Sequence, residues 1–155
     1  MEIWKNAMIG IRTLNNSDFN SWLKVYSFYA EHYQTELTSD GISTTWNWLM
    51  DTKHPVRGIA AEEKGELIAV AHYRSMPSPL RGINLGFLDD LVVIPRKRGS
   101  KAAKLILAEI KLIGKKEKWS KIRWITRDDN YRARSLYDSV AKKTNWIMYE
   151  METDL

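Results

Sequence analysis

Leu85 to Ile94 is a nearly continuous apolar run, broken only by Asp89-Asp90 and stopped by Pro95. A run of that length and composition reads as a strand buried on both faces, which requires a sheet covered by helices on each side. The segments after Pro95 narrow the fold further. A short basic loop, Arg96 to Lys101, opens into Ala102 to about Lys118, where Ala103, Ile106, Ile110 and Ile113 share one face and lysines occupy the other. That is an amphipathic helix. Ile122 to Thr126 then reads as another strand. Strand, loop, helix and strand in that order predict a parallel, right-handed crossover.

The remaining elements fill in an α/β domain with a mixed sheet. Met8 to Leu14 reads as the first strand, and Asn15-Asn16-Ser17-Asp18 offers helix-capping chemistry. Helices are expected over Ser17 to about Tyr33 and Ile42 to Met50. Val56 to Ala61 and Leu67 to Tyr73, joined at Glu63-Lys64-Gly65-Glu66, predict a hairpin. Met76-Pro77-Ser78-Pro79 reads as a loop, Tyr131 to about Ala141 as a helix, and Trp146 to Glu152 as a last strand.

A chain of 155 residues has room for one sizeable core, so a single domain over 1–155 is expected. Zero cysteines exclude disulfides, thiolate zinc sites and a catalytic cysteine. His32, His54 and His72 show no metal-ligand spacing, so no metal is expected. No run approaches the ~18 apolar residues of a membrane span, and Met1-Glu2-Ile3-Trp4-Lys5 lacks the apolar stretch of a secretory signal. A cytoplasmic protein is the expectation. Charge divides unevenly: residues 1–90 hold 8 Lys/Arg against 11 Asp/Glu, a net of −3, and residues 91–155 hold 16 against 8, a net of +8. An acidic front and a basic back suit two different partners, although lysine-rich exposed helices produce the same count.

Arg96 to Lys104 combines five basic side chains with the unpaired amides and positive dipole end of a helix start. That is an anion site. It has neither the glycine-lysine-serine ending of a P-loop nor the three glycines of a dinucleotide fingerprint. The segment Arg98-Gly99-Ser100-Lys101-Ala102-Ala103 resembles the pyrophosphate loop of the GNAT superfamily of acyl-CoA-dependent N-acetyltransferases. Arg98, Gly99 and Ala103 match its pattern, and Lys101 stands where the family prefers glycine. Further on, Asn130, Ala133 and Tyr137 fall on one helix face and resemble the family's later Asn-x-x-Ala-x-x-x-Tyr motif. Taken alone, the same residues read as a helix cap and a core tyrosine. Leu88-Asp89-Asp90-Leu91, Leu136-Tyr137-Asp138 and Trp146-Ile147-Met148-Tyr149 are similar to the diamine and microbial histone or polyamine branch.

The resemblance implies a fold of six to seven strands and about four helices, with splayed central parallel strands. It also implies direct transfer of an acetyl group from acetyl-CoA to an amine in a ternary complex. Gly99, Ser100, Lys101, Ala102, Ala103 and Lys104, with Arg98, would hold the pyrophosphate, and the main chain of Leu91, Val92 and Val93 the pantetheine. Asn130 and Ala133 would line the cofactor from the later helix. Tyr137 matches the family's general acid, and Asp89 its general base, directly or through water. Asp89 and Asp90, adjacent on a regular strand, point to opposite faces, which argues against a paired carboxylate. The acceptor region offers Glu31, His32, Tyr33, Glu36, Asp40, Trp46 and Trp48, acidic and aromatic groups that suit a cationic amine or lysine side chain. Family relatives are often dimers, so a homodimer is expected. Two other readings stay open: a catalytically weak CoA-binding interaction domain, and a basic nucleic-acid-binding module using residues 96–104 and 111–134.

Overall fold

Asn15 opens the first helical segment by a reciprocal cap. Its side chain accepts from Ser17 N at 3.0 Å, while the Asp18 carboxylate accepts from Asn15 N at 2.8 Å. In the computed structural model, which describes residues 8–154, this cap joins strand β1 (Gly10–Thr13) to helix α1 (Phe19–Tyr33) through a single 3-10 turn. The Met1 to Lys5 start lies outside the described residues. Helix α2 (Ser39–Met50) follows, with Thr38 Oγ1 accepting from Gly41 N at 3.1 Å. Next come β2 (Val56–Glu63), β3 (Glu66–Ser78), β4 (Ile83–Val93), α3 (Ala102–Lys116), β5 (Ile122–Arg123) and α4 (Tyr131–Val140). The described chain divides into two compact units, one running through Trp124 and one from Ile125 onward.

The sheet of the first unit runs β1-β2-β3-β4-β5, antiparallel except for the parallel β4–β5 pair. Lys64 and Gly65, both at positive φ (53° and 78°), make the two-residue β2–β3 hairpin turn whose twist matches the strands. Side-chain alternation sets the layers. His72 of β3 meets Trp22 of α1, and the adjacent Tyr73 meets Trp119, just beyond α3. The helices α1 and α3 therefore cover opposite faces. Ala102, Ile106, Leu107 and Ile110 of α3 are buried against the sheet, as are Trp22 and Val25 of α1. Each buried Val, Leu or Ile among them contributes about 1.5–3 kcal/mol.

Three expectations need correction. Among the described residues the sheet has five strands rather than six or seven. The strand expected over Trp146 to Glu152 does not form: residues 142–154 carry no regular structure, and Trp146, Ile147, Tyr149 and Met151 are 75–91% exposed. Residue pattern gives a segment the capacity to be a strand, but a strand needs an edge to pair with. Met76 to Ser78, expected as a loop, extends β3. The β2 pairing of β3 ends at Arg74, so Pro77 lies on a free edge, where its missing N–H costs no ladder bond. No helix among the described residues is long and apolar enough to cross a membrane.

Candidate active site

The ladder between β4 and β5 covers only Gly86↔Ile122 and Phe87↔Arg123. From Leu88 to Val93 the edge of β4 away from β3 has no ladder among the described residues, so the main chain of Leu91 and Val93 faces an open strand edge, while that of Val92 turns toward β3. The strand expected over Ile122 to Thr126 is shorter than its pattern, since β5 ends at Arg123. Where the ladder begins, Gly86 is a steric requirement. A Cβ there would lie 2.3 Å from Trp119 Cε3 and 3.1 Å from Ile122 Cγ1.

Beyond Pro95 the chain enters the basic loop. Arg96 pairs with Glu66 at 2.5 Å and Lys97 with Glu63, so two of the five cations are tied to the β2–β3 hairpin. Arg98, Lys101 and Lys104 have no ion pair with any described acid. Gly99 has φ +82° and open space where a Cβ would stand. Lys101, by contrast, has φ −77°, an ordinary right-handed conformation. Positive φ thus falls on the glycine that is present, and lysine at position 101 carries no backbone strain. Ser100 Oγ accepts from Ala102 N at 3.3 Å, while the amides of Ala103 and Lys104 have no described acceptor.

On β4 the adjacent acids behave differently from expectation. His72 pairs with Asp90 and Tyr73 with Leu88, which leaves Asp89 as the extra residue of a β-bulge. A bulge re-aims side chains. Asp89 binds Arg74 (3.0 Å) and Asp90 binds His72 (2.7 Å), and these partners are two residues apart on one face of β3. The expectation that the two carboxylates point to opposite faces is therefore overturned. Both reach the face covered by α1, with side chains 30% (Asp89) and 18% (Asp90) exposed. Burial and the neighbouring Asp90 charge push the Asp89 carboxyl above its ordinary range, against the Arg74 ion pair. Burial also pushes Asp90 up, but its interactions with His72, and after them the hydrogen bonds from Tyr26 and Tyr29, outweigh it and hold Asp90 below its ordinary range. A pair of carboxylates with separated proton affinities has one member fit to take a proton and one that stays an anion.

Tyr26, Tyr29 and Tyr33 line α1 above these acids, with ring centroids 5.7 and 4.7 Å apart. Tyr26 Oη donates to Asp90 Oδ2 at 3.1 Å, and Tyr29 Oη lies 3.5 Å from the Asp89 carbonyl. Both phenols are pushed up by burial and by the Asp90 charge. Of the aromatics expected near the acceptor, Tyr33 belongs to this row. Trp46 instead packs on Trp22 (5.1 Å), and Trp48 stacks on His54.

In the second unit Asn130 caps α4, its Oδ1 accepting from Ala133 N at 3.4 Å and its Nδ2 donating to Thr126 Oγ1 at 3.3 Å. Tyr137, two turns along, is half-buried and engaged by neighbours. Asn130, Ala133 and Tyr137 thus share one helix face, as their spacing predicts.

The sequence model of the acetyltransferase (GNAT) family matches residues 18–141, four-fifths of the chain and both motifs. The chain belongs to that family. A curated relative, the D-amino-acid N-acetyltransferase HPA3 of Saccharomyces cerevisiae, is 25% identical over 151 residues, covering 94% of this chain and 91% of its own. Solved structures share the fold. A ribosomal-protein-alanine N-acetyltransferase from Brucella melitensis biovar Abortus 2308 superposes with TM-score 0.79 at 19% identity, covering 94% of this chain and 99% of its own. The aminoglycoside N-acetyltransferase AAC(6')-Iy in complex with CoA gives 0.82 at 14%, covering 98% and 99%. The narrower likeness to the polyamine and histone branch gains no support from the yeast relative, whose name gives another acceptor.

This GNAT protein is accordingly an acetyl-CoA-dependent N-acetyltransferase. Its residues fit the cofactor on their own evidence: free amides at Ala103 and Lys104, space at Gly99, and three uncommitted cations. Residue patterns missed Tyr26, Tyr29, His72 and Arg74. The three α1 tyrosines do recur at helical spacing, but that spacing reads as a core face. His72 does stand out as the lone imidazole in the apolar stretch Leu67 to Tyr73.

Proposed function

We propose that residues 1–155 form one cytoplasmic N-acetyltransferase domain that moves an acetyl group from acetyl-CoA directly to a cationic primary amine. The observation that carries this is the course of β4. One strand brings together a bulged acid pair, an open main-chain edge and, past Pro95, an anion cradle. Acetyl-CoA when bound supplies the activated thioester. The amides from Gly99 to Lys104, with Arg98, neutralise its pyrophosphate, and the main chain of Leu91 and Val93 orients its pantetheine. An N–H of that edge polarises the carbonyl under attack. Asn130 and Ala133 line the cofactor from α4. Asp89 takes the proton of the acceptor ammonium, and Tyr137 Oη gives one to the departing sulfur.

The acceptor reading rests on the acid pair beneath the α1 tyrosines, a setting that suits an ammonium ion. Polyamines and lysine side chains, as in the diamine and polyamine branch, are the proposed class. The exposed Trp146 to Met151 segment supports a homodimer, since apolar exposure of this kind marks contact surfaces. The experiment is CoA-thiol release measured with spermidine, a lysine peptide, a D-amino acid and a neutral aromatic amine. Fastest release with the cationic amines is expected. Preference for the neutral amine overturns the acceptor class, and acetyl-CoA binding without release from any amine leaves a CoA-binding domain.

A further inference from the structure

We propose that His72 is a positioning residue for the transfer, holding Asp90 as a fixed anion so that Asp89 alone accepts the proton of the amine. This rests on the transferase reading above. His72 is 2% exposed, in the middle of the sheet. A polar ring buried so deeply costs free energy unless both nitrogens are bonded. Both are. Trp22, wholly buried on α1, places its indole N–H 2.9 Å from His72 Nε2. An indole nitrogen only donates, so Nε2 must accept and the single ring proton sits on Nδ1. Nδ1 lies 2.7 Å from Asp90 Oδ2, and that proton therefore points at the carboxylate. The tryptophan sets the tautomer, and the tautomer sets the state of the acid.

The bulge makes this setting necessary. It brings Asp89 and Asp90 to one face, and neighbouring carboxylates of equal affinity share a proton and titrate as a coupled pair. The groups facing the pair are Trp22, Tyr26 and Tyr29 from α1, His72 and Arg74 from β3, and each acid from β4. His72 and Tyr26 both donate to Asp90 Oδ2, while Arg74 binds Asp89. Asp90 stays an anion, and its charge raises the proton affinity of Asp89 toward that of a useful base. In the step itself an N–H bond of the ammonium breaks, an O–H bond forms on Asp89, and the electron pair stays on nitrogen for the attack.

The test compares His72→Gln with His72→Asn in kcat/KM against pH, with acetyl-CoA calorimetry and thermal melting as folding controls. Asparagine places an N–H near the Nδ1 position and keeps the donor to Asp90. Glutamine reaches toward the Nε2 position, accepts from Trp22 and leaves Asp90 without it. In the wild type the acid limb should fall about tenfold per pH unit, the signature of one proton. In His72→Gln, where the two acids share the proton, the limb should break into two steps and fall less than tenfold per unit between them. His72→Asn should restore the single-proton limb. A His72→Gln limb superimposable on the wild type, or identical limbs in both variants, overturns the proposal. Nitrogen-15 spectra of wild-type His72 test it without any variant: the Nδ1–H tautomer is expected wherever the enzyme turns over, and an Nε2–H tautomer or imidazolium there overturns it. A wild type that releases no CoA with any amine overturns the transferase reading as well, which separates the two failures.

Discussion

Arg12 makes a bidentate pair with Asp18 (2.7 and 2.9 Å) and reaches Glu62 with the same guanidinium, tying β1, the start of α1 and β2 together. The hydrogen bond from Arg12 holds the Asp18 carboxyl below its ordinary value, against the opposing effect of burial. A depressed folded-state carboxyl stabilises the protein above its unfolded pKa, and that contribution is lost as pH falls through the folded value. Asp18→Asn should therefore cost about 2 kcal/mol at neutral pH, and the gap should close below about pH 3.8, in urea melts across pH. At the site, Tyr137→Phe keeps the ring and removes the proposed acid. Calorimetric acetyl-CoA binding should survive while turnover drops ~10²–10⁴-fold. Asp89→Asn should lower the rate most below the amine pKa of about 10.4, with partial recovery in alkali, because free amine no longer needs a base. A rate–pH profile parallel to the wild type removes Asp89 from the mechanism.

The decisive elements are β4 and the start of α3. Gly86 lets Trp119 and Ile122 close on β4 at the first position of the β4–β5 ladder. Gly86→Ala pushes a methyl into the indole, and overpacking of this kind costs about 1–3 kcal/mol, readable as a lower thermal midpoint. If the variant melts with the wild type, the close approach has been overestimated. The α3 start should bind acetyl-CoA with an affinity that falls as salt rises, since exposed charges are screened over about 8–10 Å near physiological ionic strength. Calorimetry across a salt series reads this directly, and a flat response removes Arg98, Lys101 and Lys104 from the cofactor's binding. Much of this stretch was legible in advance: the buried run, the stop at Pro95 and the amphipathic spacing of α3 come from residue order alone. The bulge was not, because an extra residue shows only when the register of both strands is known.

At the scale of the molecule, the division of charge between the first 90 residues and the rest matches the proposed division of labour. The acids lie under α1 and the uncommitted cations at α3. Trp146, Ile147, Tyr149 and Met151 remain exposed, and their burial by a second copy is the expected role of that segment. Sedimentation at several protein concentrations should show a dimer that Trp146→Asp with Tyr149→Asp converts to monomer. A monomeric wild type at all concentrations overturns the dimer.

By itself the sequence determined the order of elements from β1 to α4, the crossover from β4 through α3 to β5, and the family motifs at Arg98 to Lys104 and Asn130 to Tyr137. These are properties of neighbours in the chain: apolar period, capping residues, a proline stop, the spacing of a helix face. Tertiary structure alone decided which side chains meet across fifty or more residues. Trp22 reaches His72, Tyr26 reaches Asp90, and Arg12 reaches Glu62. It also decided that Trp146 to Glu152 forms no strand, because a pattern becomes a strand only where its backbone is paired. The acid pair owes its chemistry to the same cause. Adjacent aspartates read as opposite-facing until a one-residue slip between β3 and β4 turns them to one face, and only folded neighbours set which of them keeps its proton.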